Sequence, residues 1–532
     1  MNKNLMAGMF LSVATLANAQ DDASEFAKSI TPEDLKKHLV IIASDSLEGR
    51  DTGSPGQKKA AEYVSGFYKA YGTTPIAPAS DGSKSYLQKY NLYKRAWGEV
   101  YVKVNGRKYE FNKDFYLNGL VSIPEEVNTP VVTAGYGIEE SSYNDYANLD
   151  VKDKSVILFD GEPESGSGSG KFLLSGSGEK SKWSGPVSWQ PKVKLAIAKG
   201  ARFVFIVTDK TGEDLDKEIR QRAVMSRRFS APTLKPVEES LTNMAAFVIS
   251  PEMAASILKT SAAALLKSKT ALGKSGKPAA KNLTGNVSLK AERVSETIET
   301  ENVAAFMEGS DKKDEVLVIS AHLDHIGISP NGEINNGADD DGSGTVSLLE
   351  LAEAFSKAKA AGKGPRRSIL FLNVTGEEKG LFGSEYYSEN PLLPLKNTIA
   401  DLNIDMIGRV DEAHKNDPKY VYLIGSDKLS STLHAISEDA NKKYINYKLD
   451  YTFNDAKDPN RFYYRSDHYN FAKMGVPVIF YFTGVHEDYH KPGDDVEKIM
   501  FDKQAEIVKL VFYTAWELAN RDERIVVDSN KE

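Results

Sequence analysis

Five apolar runs in the second half of the chain, VLVISA, SILFLNVT, IADLNIDMI, YVYLIG and VPVIFYF, restrict the fold more than any other feature. Each has the length of a strand. Between them lie helical patterns such as SLLELAEAFSKA and LSSTLHAISEDANKK. This alternation predicts an α/β architecture with a mixed, mostly parallel sheet sandwiched by helices. In such a sheet the active groups sit beyond the carboxyl ends of the strands.

The residues just past each run are therefore informative. VLVISA leads into His322-Leu323-Asp324-His325, and SILFLNVT into Gly376-Glu377-Glu378. IADLNIDMI carries Asp405 near its end, and VPVIFYFTG leads into VHEDYHKPGDD with His486, Tyr489 and His490. Before one helical segment stands NGADDDGSGT, with Asp339, Asp340 and Asp341 side by side. Adjacent carboxylates repel and are costly to bury. Divalent cations make the cluster tolerable, and the flanking glycines let the backbone turn tightly around it. Imidazole and carboxylate without thiolate suit zinc, with manganese or cobalt as possible substitutes. The number of acids points to two ions, because one carboxylate can bridge metals about 3.5–4 Å apart.

The start of the chain reads MNKNLMAGMFLSVATLANAQ. A lysine, an apolar stretch and Ala17-Asn18-Ala19 have the form of an export signal, residues 1–19. The apolar stretch is shorter than the ~20 residues a membrane span needs, and no later run is long enough. The expectation is export, to the periplasm or the medium, with no membrane span after cleavage. The chain has no cysteine, so no disulfide staples it and no thiolate competes as ligand or nucleophile. A net charge of -8 argues against a nucleic-acid partner.

At 532 residues, two or three domains are expected. Residues 20–125 open with capped helices: Thr31-Pro32-Glu33-Asp34, then Ser54 with Gln57 as capping-box partner. Ala60, Ala61, Val64, Phe67 and Tyr68 form one apolar face, which Gly72 ends. Residues 126–282 change texture and read as a smaller α/β domain. It holds a long Gly/Ser-rich loop from GEPESGSGSG onward, a helix–Gly–strand unit in KVKLAIAKGARFVFIVTD and a helix near Pro251 to Lys267. Residues 283–532 hold the strand-end acids and imidazoles.

The ordered set AHLDH, NGADDDGSG, TGEE, NIDMIG and DYHKPGDD resembles the zinc-dependent co-catalytic exopeptidases, which include secreted bacterial leucyl aminopeptidases and glutamate carboxypeptidases. LEGRDTGSPGQKKAAEYV resembles their N-terminal helix region, and residues 126–282 resemble an inserted protease-associated domain. The resemblance implies two zinc ions. His322 and Asp405 would hold one, Glu378 and His490 the other, and Asp340 would bridge them. Glu377 would be the general base, Asp324 would accept a hydrogen bond from the far nitrogen of His322, and Tyr489 would stabilise the oxyanion. Peptides are the implied substrates and removal of N-terminal residues the implied reaction; the oligomeric state stays open.

A carboxypeptidase or dipeptidase would use the same metals and base, with Arg409 or Arg465 as candidate carboxylate contacts. A glutaminyl cyclase shares the fold but works with one zinc, and the complete second ligand set argues against it. A binding protein on a dead scaffold, like the transferrin receptor ectodomain, loses ligands that are all present here. Asp339 and Asp341 read as orienting or capping groups. His325, His468 and His486 read as surroundings of the site, while His38, His414 and His434 carry no assigned role.

Overall fold

The structure, a computed structural model, describes residues 22–164, 171–228, 231–236, 244–275, 277 and 282–530. The export-signal reading of 1–19 therefore lies outside the described residues, as does the 165–170 part of the Gly/Ser-rich loop. The chain divides into two compact units. One comprises the described residues up to Leu92 and from Ile298 onward; the other is Tyr93–Thr297.

In the first unit, helices begin where the sequence supplies caps. Helix α1 (Pro32–Ile42) follows Thr31, whose hydroxyl accepts the Asp34 N–H at 3.1 Å. Helix α2 (Pro55–Ala70) follows Ser54, which accepts the Gln57 N–H at 3.2 Å. The return bond differs from the expected box. Gln57 Oε1 accepts from the Gly53 N–H at 3.1 Å, because the Ser54 N–H already donates to the Asp51 carbonyl. Ala60, Ala61, Val64 and Tyr68 are buried, Phe67 is partly so, and the chain turns off the helix at Gly72, φ +76°.

Seven strands form the body of this unit's sheet: β1 (Thr284–Met307), β2 (Lys312–His322), β3 (Arg367–Val374), β4 (Thr398–Ile404), β5 (Tyr420–Ile424), β6 (Lys448–Asp450) and β7 (Val478–Phe482). Their order is β6-β5-β7-β4-β2-β3-β1. The central four, β7, β4, β2 and β3, pair in parallel. The β5–β7 and β1–β3 pairs are antiparallel, which gives the mixed, mostly parallel sheet expected. Alternate residues serve opposite faces. Leu317, Ile319 and Phe371 pack with α1, α2, α3 (Gly344–Ala360) and the C-terminal helix Phe501–Asn520. Val318, Leu370 and Leu372 pack on the other side with Tyr387 and Phe471, from helices Phe382–Glu389 and His468–Ala472. Burial on both faces explains why these strands read as continuous apolar runs.

The second unit is wider than 126–282. Its parallel strands Ile123–Thr133, Ser155–Phe159, Val204–Val207 and Ala245–Ile249 lie side by side. Phe115–Gly119 pairs antiparallel with Ala245–Ile249, so residues before 126 belong to the same sheet. Val100, Val102 and Phe115 share a core with Phe247, and so do Val287, Leu289 and Ala291 from beyond 282. The boundaries accordingly fall inside the strands Leu87–Val104 and Thr284–Met307. The helix expected from Pro251 to Lys267 is two helices, Pro251–Leu258 and Ala262–Ser275, broken where Lys259 takes φ 53°. The described part of the long loop consists mainly of turns and bends. Among the described residues no helix is long and apolar enough to cross a membrane.

Candidate metal centre

The four central parallel strands end at one rim of the first unit, and each delivers site residues there. His322 is the last residue of β2, with Asp324 and His325 just beyond. Glu377 and Glu378 follow β3, Asp405 follows β4 directly, and Tyr489 and His490 lie in the loop after β7. The three aspartates occupy the turn Ala338–Ser343 that leads into α3. Two glycines make that turn possible. Gly337 has φ +57°, and a Cβ there would lie 2.3 Å from the Asp340 carbonyl oxygen and 2.5 Å from the His325 ring. A Cβ on Gly344 would lie 2.4 Å from the Asp341 carboxylate.

The five residues expected as ligands come together. Asp340 Oδ1 lies 3.2 Å from His322 Nε2, and its Oδ2 lies 3.2 Å from His490 Nε2. His322 Nε2 is also 3.6 Å from Asp405 Oδ1, and His490 Nε2 is 3.0 Å from Glu378 Oε2. One carboxylate thus faces two imidazole–carboxylate pairs, one through each oxygen. His322 is buried, whereas the His490 side chain is 37% exposed and marks the open side.

Each neighbouring aspartate has a distinct duty. Asp341 also comes within ligand distance of His322 and Asp405. Its oxygens are already engaged, however: Oδ1 accepts the Gly344 and Met406 N–H groups at 2.8 and 3.2 Å, and Oδ2 accepts the His322 N–H at 3.1 Å. Asp339 Oδ1 accepts the Gly408 N–H at 2.6 Å, and Oδ2 faces His486 Nε2 at 3.3 Å. Asp324 departs from expectation. The far nitrogen of His322 meets the Asp324 backbone carbonyl at 2.9 Å, while the nearest carboxylate oxygen stands 4.0 Å away. The Asp324 carboxylate instead accepts the Thr52 hydroxyl at 2.6 Å and the Glu377 N–H at 3.3 Å, so it orients the Glu377 backbone. Residues two apart share a face only while the strand lasts, and β2 ends at His322.

Glu377 Oε2 lies 3.9 Å from His322 Nε2. Burial, with repulsion from Glu378 and Asp405, raises its proton affinity against the pull of His322. The Tyr489 ring stacks on His490 at 3.9 Å. His325 is fully buried with Nδ1 2.9 Å from Glu378 Oε1, inside the cluster and not merely beside it.

Several supporting residues had no role in the sequence reading. Arg50 is fully buried and donates from Nε to the Leu323 carbonyl, from Nη1 to Ile42 and Asn336, and from Nη2 to Gly337, at 2.7–2.9 Å. It ties the chain on either side of the ligands to the N-terminal segment. The Asp494 carboxylate accepts the Asp339 and Asp340 N–H groups at 3.1 Å. The Ser466 hydroxyl donates to Asp405 Oδ2 at 2.7 Å. Arg50 lies in LEGRDTGS and Asp494 in PGDD, yet neither carries a periodic signal. His468 is stacked on Phe480 at 4.7 Å, and burial lowers its pKa to about 3, in keeping with a packing role.

A pair of divalent cations fits this donor set. Asp340 Oδ2 and Glu378 Oε1 are buried and find no hydrogen-bond partner among the described residues. Burial would lower the pKa of His490, but the facing carboxylates of Asp340 and Glu378 push it up to about 10. The field that draws protons to the imidazole draws a cation equally.

Residues 302–515 match the profile of peptidase family M28. A probable leucine aminopeptidase of Arthroderma benhamiae is 31% identical over 252 residues, covering 45% of this chain and 64% of that protein. A probable zinc metalloprotease of Pyricularia oryzae is 28% identical over 271 residues, covering 44% of this chain and 53% of that protein. The chain thus spans less than two thirds of the length of these curated relatives. The solved aminopeptidase from Aneurinibacillus sp. strain AM-1 aligns at 19% identity with a TM-score of 0.46, covering 96% of this chain and 100% of that one.

Proposed function

We propose that this chain, whose residues 302–515 match peptidase family M28, is an exported two-metal aminopeptidase that removes N-terminal residues from peptides. The observation that carries the reading is Asp340, which presents one oxygen to His322 and the other to His490, both at 3.2 Å. His322 and Asp405 would hold one ion, Glu378 and His490 the other, and Asp340 both. Nitrogen and oxygen donors without thiolate suit zinc, or manganese or cobalt in its place. When bound, the ions supply Lewis acidity toward a carbonyl oxygen and a water molecule.

The chain's own groups then have defined tasks. Glu377 takes a proton from the attacking water as its oxygen bonds to the peptide carbonyl carbon, and delivers that proton to the nitrogen as the C–N bond breaks. Asp324 supports this by holding the Glu377 N–H at 3.3 Å. The Tyr489 hydroxyl donates toward the oxygen where negative charge develops. Phe462, Phe482 and Val485 line the same cavity as Glu377 and exclude water from the reacting groups. The choice of amino- over carboxypeptidase is supported by the leucine aminopeptidase relative.

Purified chain digested with free, N-acetylated and C-amidated copies of one peptide tests the reading. Cleavage of the free and amidated forms, abolished by chelator and restored by zinc at two equivalents per chain, is expected. Cleavage confined to the N-acetylated form would defeat the aminopeptidase assignment, and full activity at one equivalent would defeat the second ion.

A further inference from the structure

Two arginines stand near the centre, and their surroundings differ. Arg409, four residues past Asp405, is nearly buried, and its Nη2 pairs with Glu487 at 3.3 Å and Asp488 at 3.1 Å. Its charge is spent within the protein. Arg465 lines the cavity that also holds His322, Glu377 and Tyr489. Its guanidinium lies over the Phe462 ring at 4.8 Å, and its Nη2 donates to the Tyr489 hydroxyl oxygen at 3.4 Å. No carboxylate among the described residues comes within ion-pair distance of it. Its neighbours on the cavity wall, Phe462, Phe482 and Val485, are apolar.

Charge accounting gives this cation a purpose. Under the function proposed above, on which this inference rests, the acids at the centre are engaged by the two ions and by backbone N–H groups, and Arg465 stands on the cavity wall as a cation with no carboxylate of its own among the described residues. A substrate closing over an apolar wall strips water from that guanidinium, and its desolvation must be offset by an anion. A planar guanidinium held between a ring and a hydroxyl is preorganised for a carboxylate.

We infer that Arg465 binds a carboxylate of the substrate. That carboxylate is either the C-terminus of a dipeptide or an acidic side chain next to the scissile bond. Arg465 thus selects among peptides and touches none of the bonds that break.

The test compares wild type with Arg465→Gln and Arg465→Lys, all zinc-loaded, on paired substrates. Leu-Gly against Leu-Gly amide probes the C-terminal source; Glu-p-nitroanilide against Leu-p-nitroanilide probes the side-chain source. The expected result is a loss of about tenfold or more in kcat/KM for the carboxylate-bearing member of one pair, carried by KM. The uncharged member should lose several-fold less than its carboxylate-bearing partner, with Arg465→Lys intermediate. Whichever pair responds names the source. A second readout needs no turnover: in a Glu377→Gln background, Arg465→Gln should weaken Leu-Gly binding and leave Leu-Gly amide binding unchanged. Equal losses on all four substrates, as a role confined to holding Tyr489 would give, overturn the inference, and so does no loss on any. Hydrolysis of the uncharged substrates by all forms keeps the peptidase reading standing in either case.

Discussion

Both units set parallel strands between helices, and both end those strands in polar residues. In the first unit the ends of β2, β3, β4 and β7 carry His322, Glu378, Asp405 and His490, which close around Asp340. In the second, Ser155–Phe159 runs into Asp160, Val204–Val207 into Thr208 and Asp209, and Ala245–Ile249 into Ser250. These groups act locally. Asp160 accepts the Gly161 N–H at 2.9 Å, Asp209 pairs with Lys269 at 2.5 Å, and Ser250 caps the next helix by accepting the Met253 N–H at 3.0 Å. None of the eight histidines lies between Tyr93 and Thr297. A parallel-sheet rim is therefore a device for placement, and chemistry appears only where the placed side chains can share a ligand.

The contrast breaks most sharply at Glu377. Glu377→Gln should lower kcat by at least about a thousandfold while metal content and melting temperature hold. The same change at Glu162 in the second unit should leave kcat within about twofold. Full activity in the first variant would remove the assigned base.

A smaller effect separates support of the metal site from support of the fold. Arg50→Met removes the donor to the Leu323, Asn336 and Gly337 carbonyls beside the ligands and to the Ile42 carbonyl, and should weaken zinc binding about tenfold or more, read by competition with a chromophoric chelator. Arg367 is equally buried but bonds to the Leu518 and Arg521 carbonyls and to Glu315, none of them at the strand rim. Arg367→Met should lower the melting temperature without changing zinc affinity. Equal zinc loss in both would show that Arg50 serves folding alone.

The least effect belongs to the second unit. Lys192 is buried and donates to the Phe159 and Gly161 carbonyls at 2.8 and 2.6 Å. Burial pulls its pKa from 10.5 to about 7. Between those values the unfolded chain holds a proton the folded unit lacks, so stability rises with pH across that window. Below about 7 both states are protonated and the slope vanishes. Lys192→Met should remove up to ~1.4 kcal/mol per pH unit from the difference in unfolding free energy between about pH 7.5 and 9.5, with kcat unaffected. Parallel stability curves for the two forms would contradict the assignment.

Much of the site was legible because strand-end residues come after conspicuous apolar runs, and both elements have short-range signals. His322, Glu377, Glu378, Asp405 and His490 could be located that way together with His325 and His486, and the triple aspartate by the repulsion within it; the choice of Asp340 and the role of each residue came from the family resemblance. Arg50 and Asp494 could not. They act through backbone carbonyls and N–H groups far away in sequence, and a lone arginine or aspartate in a loop has no period to detect. The role of Asp324 was misread for a related reason: its carboxylate is taken by Thr52 and the Glu377 N–H, partners far from it in sequence. The limits of the second unit were also hidden, since the pairing of Phe115–Gly119 with Ala245–Ile249 joins residues over a hundred positions apart.

Residue order alone determined the alternation of strands and helices, the caps that start α1 and α2, and the inventory of acids and imidazoles, because these depend on neighbours within a few positions. Only the tertiary structure decided which oxygen of Asp340 faces which histidine, which aspartate is left free for a cation, and which arginine keeps an unspent charge. Those outcomes depend on a few ångströms between segments far apart in the chain, and packing sets such distances, not local preference.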